Sequence, residues 1–360
     1  MPHEITRKNF FDASGKPAWH NLSVFEKLGV EREERDYTAE EVYGLFGRPQ
    51  YSLSPLYYRD KDGVEVRLDD QAIIRHPVED DPHYRTIGRA SDRYELIGGT
   101  VAADLWDTHV GLPVETMMLL RNDGVLCITA TLPKYDVKGE DIANYLIFTN
   151  GMDGKTASRA DVSGVRVVCA NTLRMAQSRT VHHTTGSIDR LTNWMSDIAS
   201  RALFQMDVMK ETYTILAETP FNEEQIRWIA GTVYRDPKEP DKNFAYKHGY
   251  ENQVIWYERT KELAEERRTD LVKLFSNNTA IGFGEDQSET QGTAWHALNC
   301  VTQVLTHGRT SNFRARSESL LIGERAGMIE KVTDMILAVV PEAKASANRV
   351  YVPQEAVLNI

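Results

Sequence analysis

The stretch Tyr145–Arg179, YLIFTNGMDGKTASRADVSGVRVVCANTLRMAQSR, decides how the rest of the chain is read. Tyr145, Ile147 and Thr149 alternate with Leu146 and Phe148 until Asn150-Gly151-Met152-Asp153-Gly154 interrupts the run, and a β-branched segment from Val162 to Val168 returns it. Alternation, a glycine turn and β-branched residues predict two strands of a hairpin. Asn171 or Thr172 offers a side-chain oxygen to the first N–H groups of a helix, so the second strand is expected to hand directly to a helix.

This unit is also more basic than its surroundings. Between Gly154 and Arg190 stand Lys155, Arg159, Arg166, Arg174, Arg179 and Arg190 against only Asp161 and Asp189. Residues 1–153 have the opposite balance, 17 Lys and Arg against 27 Asp and Glu. Positive charge gathered on the central unit of a chain of net charge −11 predicts an anion site there and argues against indiscriminate coating of nucleic acid by the whole surface.

Working outward, Val114–Leu120 and Val125–Leu132 read as a second hairpin closed by Arg121-Asn122-Asp123-Gly124, with a helix over Thr100–Val110 before it. Thr38-Ala-Glu-Glu41 matches a capping box, and Val64–Leu68 with Asp62-Gly63 fits a small hairpin. Beyond His183, Ile188, Leu191, Met195, Ile198, Ala202, Met206, Met209, Tyr213 and Leu216 recur at helical spacing, predicting one long helix that stops at Pro220. Asn222 caps another helix, and more are expected near 252–276, 292–307 and 318–340. The fold class is α+β, with antiparallel β-hairpins and helices on one face in the N-terminal and middle parts and a largely α-helical C-terminal half. The expected divisions are an N-terminal region 1–82, a central core 83–185, a helical region 186–341 and a tail 342–360.

At 360 residues, 41% hydrophobic and 26% charged, the composition is that of a globular chain with a sizeable core. No apolar run has the ~20 residues of a membrane span, and MPHEITRKNFF lacks a signal peptide's apolar centre; a soluble, cytoplasmic protein without membrane partners is expected. Cys127, Cys169 and Cys300, odd in number and far apart, read as buried free thiols.

Catalytic motifs are weak. Gly154-Lys155-Thr156 resembles the end of a phosphate-binding loop, but Thr149 stands where the first glycine belongs and strands flank the segment on both sides. His182 and His183 with Cys169 do not form a spaced ligand set, so no metal and no cofactor is expected. Tyr145, Phe148 and Trp194 are aromatic candidates for base stacking, with core packing the alternative for each; Tyr145 and Phe148 have opposite parity on one strand.

Five stretches, Pro17–His20, Tyr84–Ile97, Tyr145–Asn150 with Asp153-Gly154, Val165–Leu173 and Gly292–Asn299, resemble the uncharacterised phage and plasmid-like proteins grouped as domain of unknown function nine hundred and thirty-two. The segment Arg166-Val-Val-Cys-Ala-Asn-Thr-Leu173 is the most specific, and Asn21 departs from the glycine that often follows the Trp-His pair. The resemblance implies an origin on mobile elements. The hairpin feeding a helix is also similar to the core of single-strand annealing proteins of the RecT and Red-beta type, which implies binding of single-stranded DNA and assembly into rings or filaments. The leading expectation is therefore a non-catalytic DNA-binding or annealing protein and homo-oligomer. In it Lys155, Arg159, Arg166, Arg174, Arg179, His182 and His183 meet the strand, and Asn171 and Thr172 present helix N–H groups to it. The alternatives are a protein-interaction or counter-defence factor, and a nucleotide- or nucleic-acid-processing enzyme using Asp161, His182 and His183.

Overall fold

The computed structural model describes residues 10–12, 35–79, 81–166, 172–174, 179–181, 183, 186–240, 250–279, 289–307, 319 and 323–351. The fold is α+β. A short strand β1 (Phe10–Asp12) joins β5 (Thr116–Leu120), β6 (Val125–Val137), β7 (Glu140–Gly151), β8 (Ser158–Arg166), β9 (Thr172–Arg174) and β10 (Arg179–Val181) in one antiparallel sheet. Its order is β1-β5-β6-β7-β8-β10, with β9 also paired to β8. A smaller antiparallel sheet holds β2 (Tyr51–Arg59), β3 (Glu65–Arg75) and β4 (Arg85–Ser91). Because β3 pairs with β4, this sheet runs across the boundary expected at residue 82.

Helix α1 (Ala39–Leu45) begins at the expected capping box: Glu41 N–H donates to Thr38 Oγ1 at 3.2 Å and Thr38 N–H to Glu41 Oε2 at 3.0 Å. Asp107, far along the chain, accepts from the next two N–H groups, those of Ala39 and Glu40. The helix expected from Thr100 starts one residue earlier. α2 (Gly99–Leu105) has Gly98 as N-cap and runs into a π-helical turn over Trp106–Val110. Trp106 is fully buried there and donates its indole N–H to Leu112 O.

The long helix expected beyond His183 is two. α3 (Ser187–Met195) and α4 (Ile198–Glu218) are separated by Ser196 and Asp197. Both interrupting residues have short polar side chains that compete for backbone and local partners: Ser196 donates to Asn193 O at 2.8 Å, and Asp197 takes Arg201 Nε at 2.7 Å. The apolar stripe crosses the break unaltered, because Leu191, Met195, Ile198, Ala202, Met209 and Tyr213 all enter one core. After α5 (Glu223–Val233), capped by Asn222 as expected, come α6 (Tyr250–Ser276), α7 (Ala294–His307), α8 (Glu324–Val339) and α9 (Pro341–Ala347).

The helix-packed face of the large sheet carries Leu126, Ile128, Ala130, Ile142, Leu146, Phe148, Ala160 and Val162. Cys127, Thr129, Ile147 and Thr149, in the alternate register, are buried too. Burial on both faces explains why these strands read as nearly continuous apolar runs. Phe148 and Trp194 meet in the core at 6.5 Å between ring centroids, and Tyr145 is buried, so these aromatics pack. Cys127 and Cys300 are buried; Cys169 lies outside the described residues. Among the described residues, no helix is long and apolar enough to cross a membrane.

One expectation about the central unit is corrected. The hairpin β7–β8 forms in the expected register, Phe148 opposite Ala160 and Leu146 opposite Val162, but β8 does not hand to a helix. Thr172 opens strand β9, its Cα opposite Val165, and among the described residues the next helix starts at Ser187. Thr172–Arg174 and Arg179–Val181 pair with the free edge of β8, and this pairing outweighs the local capping signal of Asn-Thr. Thr172 therefore offers no helix N-terminus, and Asn171 lies outside the described residues.

Candidate functional site

β8 is the strand on which the basic residues converge. β10 pairs with its first part, Arg179 opposite Ala160 and Thr180 opposite Arg159, and β9 with its last part, Arg174 opposite Ser163. Lys155 is exposed on the turn before it, where its own N–H and that of Thr156 donate to Asp153 Oδ1. Three consecutive strands thus bring Lys155, Arg159, Arg166, Arg174 and Arg179 to one edge of the large sheet.

Register divides them between two sides. Arg166 stands opposite Ile142 and Arg179 opposite Ala160, the positions of the helix-packed face, whereas Arg159 and Arg174 share the register of Thr149, Asp161 and Ser163. Arg159 is already engaged: Nε lies 2.7 Å from Asp161 Oδ2, and Nη2 2.6 Å from Glu330 Oε1 on α8. Burial alone lowers the Arg159 pKa, and the two carboxylates reverse that and hold the guanidinium charged. Its positive charge is spent inside the protein, and the same pairing engages Asp161, the carboxylate of the enzyme alternative. His182 and Asn171 lie outside the described residues.

His183 is buried beside the start of β8, in a polar cluster built from three segments. Its Nε2 is 2.9 Å from Ser158 Oγ, and Ser158 in turn donates to Asn150 Oδ1 at 2.7 Å. Asn150 Nδ2 donates to Ile97 O at 2.8 Å, His183 Nδ1 faces Glu95 O at 3.3 Å, and the imidazole stacks on Tyr94 at 5.5 Å. Tyr94 donates to Gly151 O, and burial, with Asp153 nearby, pushes its hydroxyl far above the usual range. A serine beside a histidine invites a nucleophile–base reading. Here Ser158 and Asn150 are fully buried and the hydroxyl proton is committed to Asn150, so the trio ties β7 and β8 to the 94–97 segment instead of presenting a nucleophile. His183 is accordingly no phosphate contact.

Glu95 gives the cluster its second purpose. The N-cap of α3 is Gly186, which has no side chain to offer, and Glu95 accepts from Ser187 N–H at 2.6 Å and Ser187 Oγ at 3.1 Å instead. Burial pushes the carboxyl up, but these donors, with the N–H groups of Ile188 and Gly186, outweigh it and hold the pKa below the ordinary value. Glu95→Ala is expected to cost about 1 kcal/mol, the worth of a helix cap. Because the folded pKa is lowered, this contribution is present above the ordinary glutamate pKa and lost as pH falls through the lowered one. Urea melts of both proteins at neutral and acid pH should therefore converge in acid. A difference independent of pH would contradict the assignment.

Among the described residues, no three or more His, Cys, Asp or Glu side chains gather as a metal site. Glu95, Asn150, Ser158 and Glu330 were invisible to sequence reasoning, since each acts on a partner tens of residues away. The only sequence signal was that Tyr84–Ile97 and Tyr145–Gly154 both carry the family resemblance, and these are the segments that meet here.

The model of the family described as domain of unknown function DUF932 matches residues 86–328. The chain belongs to this family. No curated protein and no solved structure matches it. The DUF932 match begins inside β4 and ends inside α8, so it takes in the His183 cluster and the whole β8–β10 edge and stops just short of Glu330, the α8 partner of Arg159. β2 and β3 lie outside it, although they complete the small sheet that β4 belongs to.

Proposed function

We propose that this DUF932 protein binds single-stranded nucleic acid along the outer edge of its large sheet, by electrostatic attraction and without catalysis. The observation that carries the reading is the register of β9 and β10 on β8, which gathers Arg166, Arg174 and Arg179 within one strand length, next to the exposed Lys155. Phosphates repeat along a strand, and a row of cations on an edge strand and its partners meets them without any requirement for base sequence. The division by register favours a path over the rim of the sheet, touched from both sides, over a groove on one face. Arg159, paired with Asp161 and Glu330, contributes position and not free charge.

The narrower reading as a RecT-like annealing protein drew on a hairpin handing directly to a helix, and β9 and β10 intervene between the two. The proposal therefore extends to binding, with annealing as an additional activity to be measured. Fluorescence anisotropy with a labelled single-stranded oligonucleotide at low salt is expected to show saturable binding that a duplex of the same length competes poorly. No binding at low salt, or equal preference for the duplex, would overturn the reading.

A further inference from the structure

Helix α6 (Tyr250–Ser276) is longer than the neighbour it packs on, α5. Its second half is seated: Leu271, Val272 and Phe275 are buried, Phe275 meets Phe221 edge to face at 6.3 Å, and Arg267 lies over the Tyr234 ring at 5.9 Å. Arg268 pairs with Asp236, just past the last turn of α5, so the first half of α6 runs on beyond the end of that helix. From Asn252 to Leu263, about 18 Å of helix at 1.5 Å per residue, no side chain is buried. Most helix stability in proteins comes from packing one face. This arm instead holds three apolar side chains in water: Ile255 is 64% exposed, Trp256 61% and Leu263 41%.

Helical spacing puts Ile255, Trp256, Arg259, Glu262 and Leu263 in one sector of roughly 120°, turned away from the side that Ala264, Leu271, Val272 and Phe275 bury. Arg259 and Glu262 are exposed in that sector, and among the described residues neither is held by an ion pair within the chain. The order of apolar, basic, acidic and apolar side chains along the stripe is complementary to itself when the direction of the helix is reversed. With a two-fold axis near Thr260, Trp256 of one copy comes level with Leu263 of the other to within about one residue rise of 1.5 Å, and Arg259 comes level with Glu262 to the same tolerance. We propose that this arm is a self-association surface, on which α6 of two copies pair antiparallel, Trp256 of each packing on Leu263 of the other and Arg259 of each meeting Glu262 of the other. A nucleic-acid strand or an anionic membrane would be repelled by Glu258, Glu262, Glu265 and Glu266, which alternate with the arm's basic residues. A purely apolar partner would leave Arg259 and Glu262 desolvated and unpaired.

Four helical turns with two aromatic-on-aliphatic contacts and two ion pairs make an interface at the small end of the specific range, so dissociation in the micromolar range is expected. Sedimentation equilibrium of the full chain without nucleic acid, from about 1 to 100 µM, should fit a monomer and a dimer. Trp256→Ala should leave a monomer throughout. Arg259→Glu, which sets glutamate against glutamate twice, should weaken the dimer at least about tenfold, and Arg259→Glu combined with Glu262→Arg should return it to within about threefold of the parent. All of these positions are exposed, so the melting temperature at the lowest concentration should be the same in every variant. The combined exchange distinguishes antiparallel self-pairing from a general loss of charge, because only in that register does each new glutamate meet a new arginine. A chain that stays monomeric at the highest concentration, a dimer that Trp256→Ala leaves intact, or an exchange variant as weak as Arg259→Glu alone would overturn the proposal. Sedimentation reads the arm and oligonucleotide anisotropy reads the sheet edge, so either result can fail alone.

Discussion

Arg75→Leu is expected to destabilise the protein by about 3–5 kcal/mol, the usual cost of removing one partner from a buried ionic group. Arg75 is 4% exposed; its Nη1 donates to Asp81 Oδ2 at 2.9 Å and its Nε lies 3.4 Å from Asp123 Oδ2. Asp81 also takes Arg85 Nη2 at 2.7 Å. The small sheet, the 78–81 turn and the β5–β6 turn thus share one cation. That second turn is strained, because Arg121, Asn122 and Asp123 all have positive φ, of 52°, 55° and 65°. Left-handed backbone at a residue with a side chain costs about 1–2 kcal/mol, here offset by Tyr51 donating to Asp123 O at 2.7 Å, Arg121 donating to Thr156 Oγ1 at 2.8 Å, and Arg75. Burial holds the Asp123 carboxyl above its ordinary pKa, Arg75 and Arg85 pull it down, and Asp81 pushes it up. Losing Arg75 raises it further. A raised folded-state pKa favours folding only while the group is protonated, so the variant's deficit should be full above that raised pKa and shrink as pH falls through it. Denaturant melts at neutral pH and at acid pH measure both. A loss under 1 kcal/mol at neutral pH, or a deficit that grows in acid, would refute this account of the cluster.

Gly88→Ala should also be severe, for a steric reason. A Cβ on Gly88 would sit 2.0 Å from Asp153 O, a backbone atom of the turn between β7 and β8 that Asp153 braces through three hydrogen bonds. The contact is reciprocal: a Cβ on Gly154, itself at φ +72°, would meet Arg89 O at 2.5 Å. β4 therefore lies backbone to backbone on the turn, and neither side can yield by turning a side chain. The expected loss is about 3 kcal/mol, at the upper end of the usual range for overpacking, lowering the melting temperature by roughly 4 °C in a chain of this length. Gly231→Ala supplies the contrast. It lies within α5 with nothing within 4 Å of the added Cβ, and should stabilise by about 0.5–1 kcal/mol through helix propensity. If the two substitutions shift the melting temperature alike, the small sheet does not seat on that turn as described.

Where fold was legible in the sequence, the signal was local. Alternation and apolar runs marked β5 to β8, and Thr38 and Asn222 marked their helices because each cap lies three residues from its partner. The break at Ser196-Asp197 was hidden by apolar spacing that continues across it, and the strands at Thr172 and Arg179 by a capping signal that is equally local. What could not be read was long range. Glu95 caps a helix 92 residues away, Glu330 engages Arg159 across 171 residues, and Asp107 caps α1 across 68. Charge counting therefore located the basic unit but treated Arg159 like its neighbours, when two carboxylates hold it. His183 looked like a surface contact in the sequence and is a buried brace.

The most direct test of the sheet-edge account is the dependence of single-stranded oligonucleotide affinity on salt. Each phosphate neutralised by a protein cation contributes about 0.7 to the slope of log affinity against log salt for a single strand. Arg174→Ala with Arg179→Ala should flatten the slope by about 1.4, whereas Arg159→Ala, whose charge is already met by Asp161 and Glu330, should leave it unchanged. A double variant with the full slope, or an Arg159 variant that flattens it as much, would contradict the claim that the rim of the large sheet holds the strand.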